Sequence, residues 1–218
     1  MADKAVRPIH PPRAVPRVRV RPANKRDIPA MVELIDGAFR TDDPFGEWMF
    51  PDDGRRERGQ PRMYRAMIRH QYLPADGAAV ALLDDRVVGA LLWQPTDYRV
   101  GVLRYLASLP EFVWAVRSDG PRAMAMDAAI AKLAPGLPHY FGTTLAVAPD
   151  TQNRGVGKAL IAHLLAQVES AQVPLLYFCK DANVDYYRAF GAQTLGKVHL
   201  DRRGPRVNVM MWLPRGLR

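Results

Sequence analysis

Two closely spaced glycines, Gly155 and Gly157, lie where an apolar strand is predicted to pass into an amphipathic helix. The first N–H groups of a helix have no acceptor within the helix, and the helix dipole adds partial positive charge, so a phosphate fits there. Glycine removes the side chains that would hold an anion away from the backbone. Arg154 and Lys158 add positive charge beside this turn. The pattern predicts a binding site for a phosphate-bearing cofactor.

This turn departs from the two best-known phosphate-binding loops. A P-loop needs glycine at the position of Gln152 and serine or threonine at the position of Ala159. The dinucleotide fingerprint needs a third glycine where this chain has Leu160, and it belongs in an early strand-helix-strand unit. The sequence therefore argues against a P-loop nucleotide site and against nicotinamide or flavin cofactors.

The segment Gln152-x-x-Gly155-x-Gly157-x-Ala159, after a Leu-Ala-Val-Ala-Pro strand end, closely resembles the acyl-CoA pyrophosphate loop of the GNAT N-acetyltransferase superfamily. Downstream, Asn183 and Tyr187 on a predicted short helix that closes at Gly191 resemble the second GNAT signature. Because they are four residues apart, both side chains are expected on one helix face.

Further similarities point to one branch of this superfamily. The Asn-to-Tyr spacing, the strand after Pro174 and the Gly204-Pro205 run before a Met-Met-Trp segment are similar to the branch that contains puromycin N-acetyltransferase. The resemblance implies an enzyme that transfers an acetyl group from acetyl-CoA to a primary amine by direct attack in a ternary complex.

The resemblance also implies roles for individual residues. A bulge at Val147 would separate two parallel strands, so that pantetheine pairs with the freed backbone and an N–H group stabilises developing oxyanion charge. The phenol of Tyr187 would act as general acid toward the departing thiolate, because the two groups have comparable basicity. The cofactor-binding residues implied are Leu145, Ala146, Val147, Gln152, Asn153, Arg154, Gly155, Val156, Gly157, Lys158, Ala159, Asn183 and Tyr187.

The sequence departs from the family pattern at the position of the general base. Several members place a glutamate six residues before the bulge residue, where this chain has Phe141. His139 is the nearest titratable candidate, because a residue two positions before Phe141 on a strand points to the same face of the sheet. A lone histidine at a strand start is, however, commonly structural. A small fraction of neutral amine together with a water chain is the alternative.

The acceptor side is predicted to lie in the first helices and their connecting loop. The candidate substrate-binding residues are Phe39, Asp42, Asp43, Phe45 and Trp48. Carboxylates beside aromatic rings suit a cationic, partly apolar amine. The two aspartates are equally suited to capping a turn. A small-molecule amine, with antibiotic-like amines among the candidates, is the leading hypothesis for the acceptor, and a protein amino terminus or lysine is the alternative.

These side chains must be positioned by a mixed α/β domain. The resemblance implies one mostly antiparallel sheet of six to seven strands with a parallel, splayed pair, flanked by helices. The predicted helix after the glycines has an apolar face formed by Val156, Leu160, Ile161, Leu164, Leu165 and Val168. Strands are predicted at 18–21, 78–83, 86–93, 140–147, 173–179, 193–200 and 206–213, and helices at 27–39, 61–73, 98–133 with a break at Gly120-Pro121, and 184–190.

Composition sets the remaining bounds. The 218 residues suit one domain over 18–218, with a helical insert at about 96–138, after a Pro- and Arg-rich arm at 1–17 expected to be flexible. The single cysteine excludes an intrachain disulfide and a cysteine-rich zinc site, and no metal is expected. No apolar run reaches membrane-spanning length and no secretory signal is visible, so the expected location is cytoplasmic.

Two other functions compete with the enzyme. A non-catalytic acyl-CoA sensor would use the same loop, whereas the presence of Asn183 and Tyr187 favours the enzyme. A formal net charge of +9 is compatible with nucleic-acid binding, but no helix-turn-helix or zinc spacing accompanies it. A monomer or a homodimer that binds neither nucleic acid nor membrane is therefore expected.

Overall fold

The centre of the molecule, in this computed structural model, is one seven-stranded sheet. Its strands are β1 (Arg19–Pro22), β2 (Ala78–Leu83), β3 (Arg86–Gln94), β4 (Tyr140–Val147), β5 (Leu175–Cys179), β6 (Gln193–His199) and β7 (Arg206–Trp212). The order is β1-β2-β3-β4-β5-β7-β6, and only β4 and β5 run parallel. The structure describes residues 18–41, 43–96, 98–133, 136–200 and 204–217. The predicted fold class is confirmed.

Helices cover both faces of the sheet. Within the described ranges they are α1 (Ile28–Phe39), α2 (Pro44–Met49), α3 (Asp53–Met67), α4 (Val102–Val116), α5 (Gly120–Leu133), α6 (Val156–Ala171) and α7 (Val184–Arg188). The apolar face of α6 packs on one side of the sheet, with Ala79, Leu91 and Trp93. Helices α1 and α3 pack on the other side, with Val80 and Leu92. Successive side chains of β2 and β3 point to opposite faces of the sheet, so these two strands contribute apolar residues to the cores on both faces.

Helix α3 begins earlier than predicted. The prediction placed a helix at 61–73, because proline is favoured in the first turn of a helix. In the structure the helix starts at Asp53, where the side chain of Asp52 accepts a hydrogen bond from the Arg55 amide at 2.7 Å. Pro61 therefore lies inside the helix. Burial of Gly59, Met63 and Tyr64 against α1 and α4 outweighs the hydrogen bond that Pro61 cannot form.

The predicted insert between β3 and β4 contains two helices. Helix α4 ends at Val116, and a short turn at Arg117–Asp119 leads into α5, which has Pro121 in its first turn. The break therefore lies just before the predicted Gly120-Pro121 position. The arm at 1–17 falls outside the described residues, and the domain boundary at residue 18 stays a prediction.

Two negative findings apply to the described part of the chain. Within it, no helix is both long enough and apolar enough to cross a membrane. The same residues contain no group of three or more histidine, cysteine, aspartate or glutamate side chains that could hold a metal ion.

A partly buried ion pair joins the first strand to the start of the first helix. The Arg21 guanidinium donates two hydrogen bonds to the Asp27 carboxylate, at 2.7 and 2.8 Å, and the Asn24 amide donates a third at 2.8 Å. The side chain of Asp27 is only 7% exposed. The Arg21 guanidinium holds the pKa of the Asp27 carboxyl below its ordinary value, and the Asn24 amide adds to this effect against the opposing effect of burial.

We expect Asp27→Asn to lower the free energy of unfolding at pH 7 by about 2 kcal/mol, because a charge-assisted bidentate contact is lost. Since the folded pKa is depressed, this stability is present above the unfolded pKa of about 4 and is lost as pH falls through the folded value. Urea denaturation between pH 7 and pH 3 should show the gap between the two proteins narrowing. The matched control is Asp53→Asn, whose carboxylate is 90% exposed and should matter little. Equal effects of the two substitutions would contradict this account.

Candidate functional site

The turn between β4 and α6 presents a cluster of unpaired backbone N–H groups. Asn153 and Gly155 adopt left-handed conformations, with φ of 62° and 80°. The first helical hydrogen bond runs from the Ala159 amide to the Gly155 carbonyl at 2.9 Å, and no side chain caps the helix. Among the described residues, nothing accepts a hydrogen bond from the amides of residues 155–158. An anion can therefore bind at this end of α6.

Side chains around the turn leave this helix end open. Arg154 and Lys158 are exposed, and neither forms an ion pair with any residue that the structure describes. A Cβ added at Gly157 would lie 2.5 Å from the hydroxyl of Tyr186 and 3.7 Å from a methyl group of Val147. A side chain at 157 would therefore displace the Tyr186 hydroxyl from its close approach to this backbone.

Strands β4 and β5 separate toward their carboxyl-terminal ends, where β4 leads into this turn. Their parallel pairing covers only Tyr140–Leu175, Phe141–Leu176 and Gly142–Tyr177. Beyond Gly142, β4 pairs only with β3 on its other edge, which leaves an open wedge between β4 and β5. Backbone groups of β4 in this wedge, which include those of Leu145, Ala146 and Val147, lie between the separation point and the glycine turn.

The β-bulge that accompanies this separation does not lie at Val147, where it was predicted. The register of β3 and β4 shifts between Leu92 and Trp93, so Thr143 is the extra residue in β4, and its hydroxyl donates to the Leu92 carbonyl at 3.0 Å. At Val147 the pairing with Gly89 is regular. The predicted bulge at Val147 is therefore wrong. A bulge increases local twist, and one at Thr143 turns β4 away from β5 directly after their last paired residues.

Tyr187 lies at the point where the wedge opens. Its ring packs on Tyr177, the last residue of β5 that pairs with β4, with centroids 4.6 Å apart. Burial raises the pKa of Tyr187 above its ordinary value, and Cys179 and Tyr186 add to the shift. The phenol therefore stays protonated at neutral pH and can act as a proton donor. Asn183 precedes α7 as its N-cap residue and is exposed, and its side chain makes no hydrogen bond with a described residue.

Cys179 ends β5 close to these tyrosines. It is 5% exposed and packs as a small apolar residue in the core on the α6 side of the sheet. Burial, with a smaller effect from Asp181, raises the pKa of its thiol to about 11. The thiol is therefore neutral and poorly nucleophilic at physiological pH.

Among the described residues, no titratable side chain occupies the position expected for a base. Phe141 packs edge-on against Phe178 of β5, with ring centroids 5.1 Å apart. His139 lies before the first residue of β4, and its Nδ1 is 2.8 Å from the Leu137 carbonyl. At a rise of about 3.3 Å per residue, His139 is about 13 Å along the strand from Thr143. It is therefore at the paired end of β4, away from the open wedge.

We expect His139→Ala to change kcat/KM for acetyl transfer by less than about tenfold, because general-base catalysis by a positioned side chain is worth about a hundredfold or more. Initial rates for both proteins, measured with one amine over pH 6 to 9, test this expectation. A much larger loss, with disappearance of an acidic limb in the wild-type profile, would assign His139 as the base instead.

The residues predicted for the acceptor side divide between two structural roles. Asp43 is 4% exposed and caps α2, where its carboxylate accepts hydrogen bonds from the amides of Phe45 at 3.1 Å and Gly46 at 3.0 Å. Burial raises its pKa, against the lowering effect of those two bonds. The capping alternative is thus the one observed for Asp43, whereas Asp42 lies outside the described residues.

Two of the aromatic acceptor candidates lie in a cluster that includes a residue of β5. Phe45 and Trp48 pack with Phe178 of β5 in a small apolar cluster centred on Met126, Leu200 and Val207. Arg122 of α5 donates a hydrogen bond to the Trp48 carbonyl at 2.7 Å, which ties the insert to α2. Phe39 is partly buried in the neighbouring core, on the same side of the sheet as α1 and α3. The fold therefore places Phe45 and Trp48 in one cluster with Phe178 of β5, whereas the Asp43 carboxylate caps α2.

Sequence reasoning missed Thr143, Tyr177 and Tyr186. The sequence shows two neighbouring tyrosines at 186 and 187. It does not show that the orientation of their helix places the Tyr186 hydroxyl close to Gly157. Thr143 and Tyr177 carry no sequence signal, because their importance comes from the pairing of strands that are distant along the chain.

Comparisons with known proteins agree with this geometry. The model of the acetyltransferase (GNAT) family matches residues 43–192, which is more than half of the chain. No curated protein matches the sequence. Among solved structures, a histone acetyltransferase and related acetyltransferase from Corynebacterium glutamicum is similar with a TM-score of 0.67 and 24% identity, over 90% of this chain and 96% of that one.

Two more distant structures share the fold. A polyamine N-acetyltransferase from Drosophila melanogaster, which catalyses formation of N-acetylagmatine, has a TM-score of 0.55 and 16% identity over 90% of this chain and all of that one. A GNAT family acetyltransferase from Brucella melitensis, solved with acetyl-CoA, has a TM-score of 0.51 and 17% identity over 91% and 90%. The fold is that of an acetyltransferase. The chain belongs to the GNAT acetyltransferase family, an enzyme family whose cosubstrate is acetyl-CoA.

Proposed function

We propose that this enzyme transfers the acetyl group of acetyl-CoA to the primary amine of a small molecule, by direct attack in a ternary complex. The observation that carries the proposal is the position of Tyr187 at the mouth of the wedge, on the path between the separated strands and the open amides of α6. Donor binding is thus assigned to the α6 amides and the separated strands, and proton supply to Tyr187.

The donor fits the residues that are present. The amides of 155–158, with Arg154 and Lys158 beside them, would hold the pyrophosphate, and Gly157 leaves the backbone accessible. Backbone groups of β4 beyond Gly142 would pair with the pantetheine arm, and an unpaired N–H among them would polarise the thioester carbonyl. Asn183, exposed before α7, would contact the same arm.

The reaction requires two proton movements. The amine nitrogen forms a bond to the carbonyl carbon, the carbon–sulfur bond breaks, and the Tyr187 hydroxyl gives its proton to the sulfur. The proton lost by the amine passes to water, because no side chain of the described residues at the wedge replaces the carboxylate base. The raised pKa of Tyr187 makes it a weaker acid than free phenol. It therefore suits a thiolate whose basicity is raised by the same dry surroundings.

A small acceptor is supported by the aromatic side chains that cluster with Phe178 of β5 and by the likeness to solved structures. Phe45 and Trp48, beside Phe178, supply apolar contact for an amine. The distantly similar agmatine and polyamine N-acetyltransferases are named for small cationic amines. Antibiotic-like amines remain part of this class.

The test is thiol release from acetyl-CoA across a panel of small primary amines, agmatine and polyamines included, beside peptides with a free amino terminus or lysine. Release that requires a small amine supports the proposal. Preferential turnover of the peptides would assign a protein acetyltransferase instead. Thermal stabilisation by CoA without turnover of any amine would favour an acyl-CoA sensor.

A further inference from the structure

Tyr186 places a phenol hydroxyl against the first turn of α6. A Cβ added at Gly157 would meet the Tyr186 Oη at 2.5 Å and its Cζ at 3.7 Å. A Cβ lies about 1.5 Å from its Cα, so the hydroxyl is at most about 4 Å from the Gly157 Cα. The amide of Gly157 is one of the four that have no acceptor among the described residues.

Two neighbouring rings hold the Tyr186 side chain in this position. The ring of Tyr187 lies 5.4 Å away at 71°, and the ring of Phe190 lies 5.3 Å away at 71°. Both arrangements are edge-to-face, which is favourable for aromatic pairs. Because packing already fixes the ring, little rotamer freedom remains to be lost when its hydroxyl binds a ligand.

The hydroxyl itself does not contribute to the packing of the ring. Among the described residues it has no hydrogen-bond partner, and the side chain as a whole is 42% exposed. A phenylalanine would make the same ring contacts without placing an oxygen against Gly157. Burial of the ring raises the pKa of Tyr186, so the group remains a hydrogen-bond donor at neutral pH.

We infer that Tyr186 is a further cofactor-positioning residue, whose hydroxyl donates a hydrogen bond to the same phosphate oxygen cluster that the α6 amides bind. The inference rests on the proposed function, because it takes the pyrophosphate of CoA as the ligand of the turn. The two tyrosines of α7 then have different roles. Tyr186 binds the phosphate end of the donor, and Tyr187 protonates its sulfur.

Tyr186→Phe tests this inference, because it removes one oxygen and keeps the ring. We expect the Kd for CoA, measured by calorimetry, to rise about tenfold, as befits one charge-assisted hydrogen bond. The KM for acetyl-pantetheine, which lacks the pyrophosphate, should stay the same in wild type and variant. Tyr105→Phe, at a tyrosine that is 55% exposed on α4, is the matched control.

The possible results separate this inference from the proposed function. If wild type turns over acetyl-CoA but Tyr186→Phe binds CoA equally well, the inference is overturned alone. An equal loss with acetyl-pantetheine would also overturn it, because the hydroxyl would then act away from the phosphate. If wild type itself binds no CoA, both the inference and the proposed function fail. A selective loss for the pyrophosphate-bearing donor supports both.

Discussion

Tyr187→Phe should lower kcat for acetyl transfer by about a hundredfold, at the lower end of what a positioned general acid contributes. The substitution keeps the ring that packs on Tyr177 at 4.6 Å and removes only the hydroxyl. The departing thiolate would then have to take its proton from water. CoA affinity should change little, because the phosphate end of the donor is held elsewhere.

Steady-state kinetics with the preferred amine, together with calorimetric CoA binding, separate these two effects. Tyr105→Phe is again the control for loss of a phenol hydroxyl. The raised pKa of Tyr187 adds a second expectation. Because a group whose pKa is raised keeps its proton longer, wild-type kcat should show no decline up to pH 10 that depends on Tyr187. A fall in kcat/KM caused only by weaker CoA binding would count against the general-acid role.

Gly157→Glu should raise the Kd for CoA by at least about a hundredfold. Its Cβ would meet the Tyr186 hydroxyl at 2.5 Å, so that side chain must move, and its carboxylate would compete for the free amides. Two like charges 4 Å apart near a protein surface repel by about 4 kcal/mol, which alone accounts for a loss of this size.

A matched charge control is available in α1. Gly37 is exposed and has nothing within 4 Å of an added Cβ, so Gly37→Glu makes the same charge change away from the turn. It should leave the Kd for CoA and kcat within about twofold of wild type. Thermal unfolding of both variants checks that the fold is intact. If the two substitutions weakened CoA binding equally, the glycine turn would not be the phosphate site.

Local patterns in the sequence predicted most elements correctly. The apolar periodicity of α6 is reproduced by burial of Val156, Leu160 and Val168. The Asp84-Asp85 pair adopts φ of 50° and 60°, as a tight hairpin turn requires. Such features depend on side chains only a few residues apart. Helix α3 was misplaced because Pro61 carried the local signal, whereas packing on α1 and α4 extended the helix through it.

The candidate phosphate-binding turn is predictable from the sequence alone, since glycines, basic residues and an amphipathic helix follow one another within a short segment. Family motifs likewise supply the candidate acid Tyr187. The bulge at Thr143, the capping role of Asp43 and the approach of Tyr186 to Gly157 emerge only in the folded chain. The bulge and the tyrosine depend on strand register and on packing between elements that are distant along the chain. The aspartate shows a further ambiguity, because a carboxylate that caps a helix and one that binds an amine have the same local sequence, and only burial distinguishes them.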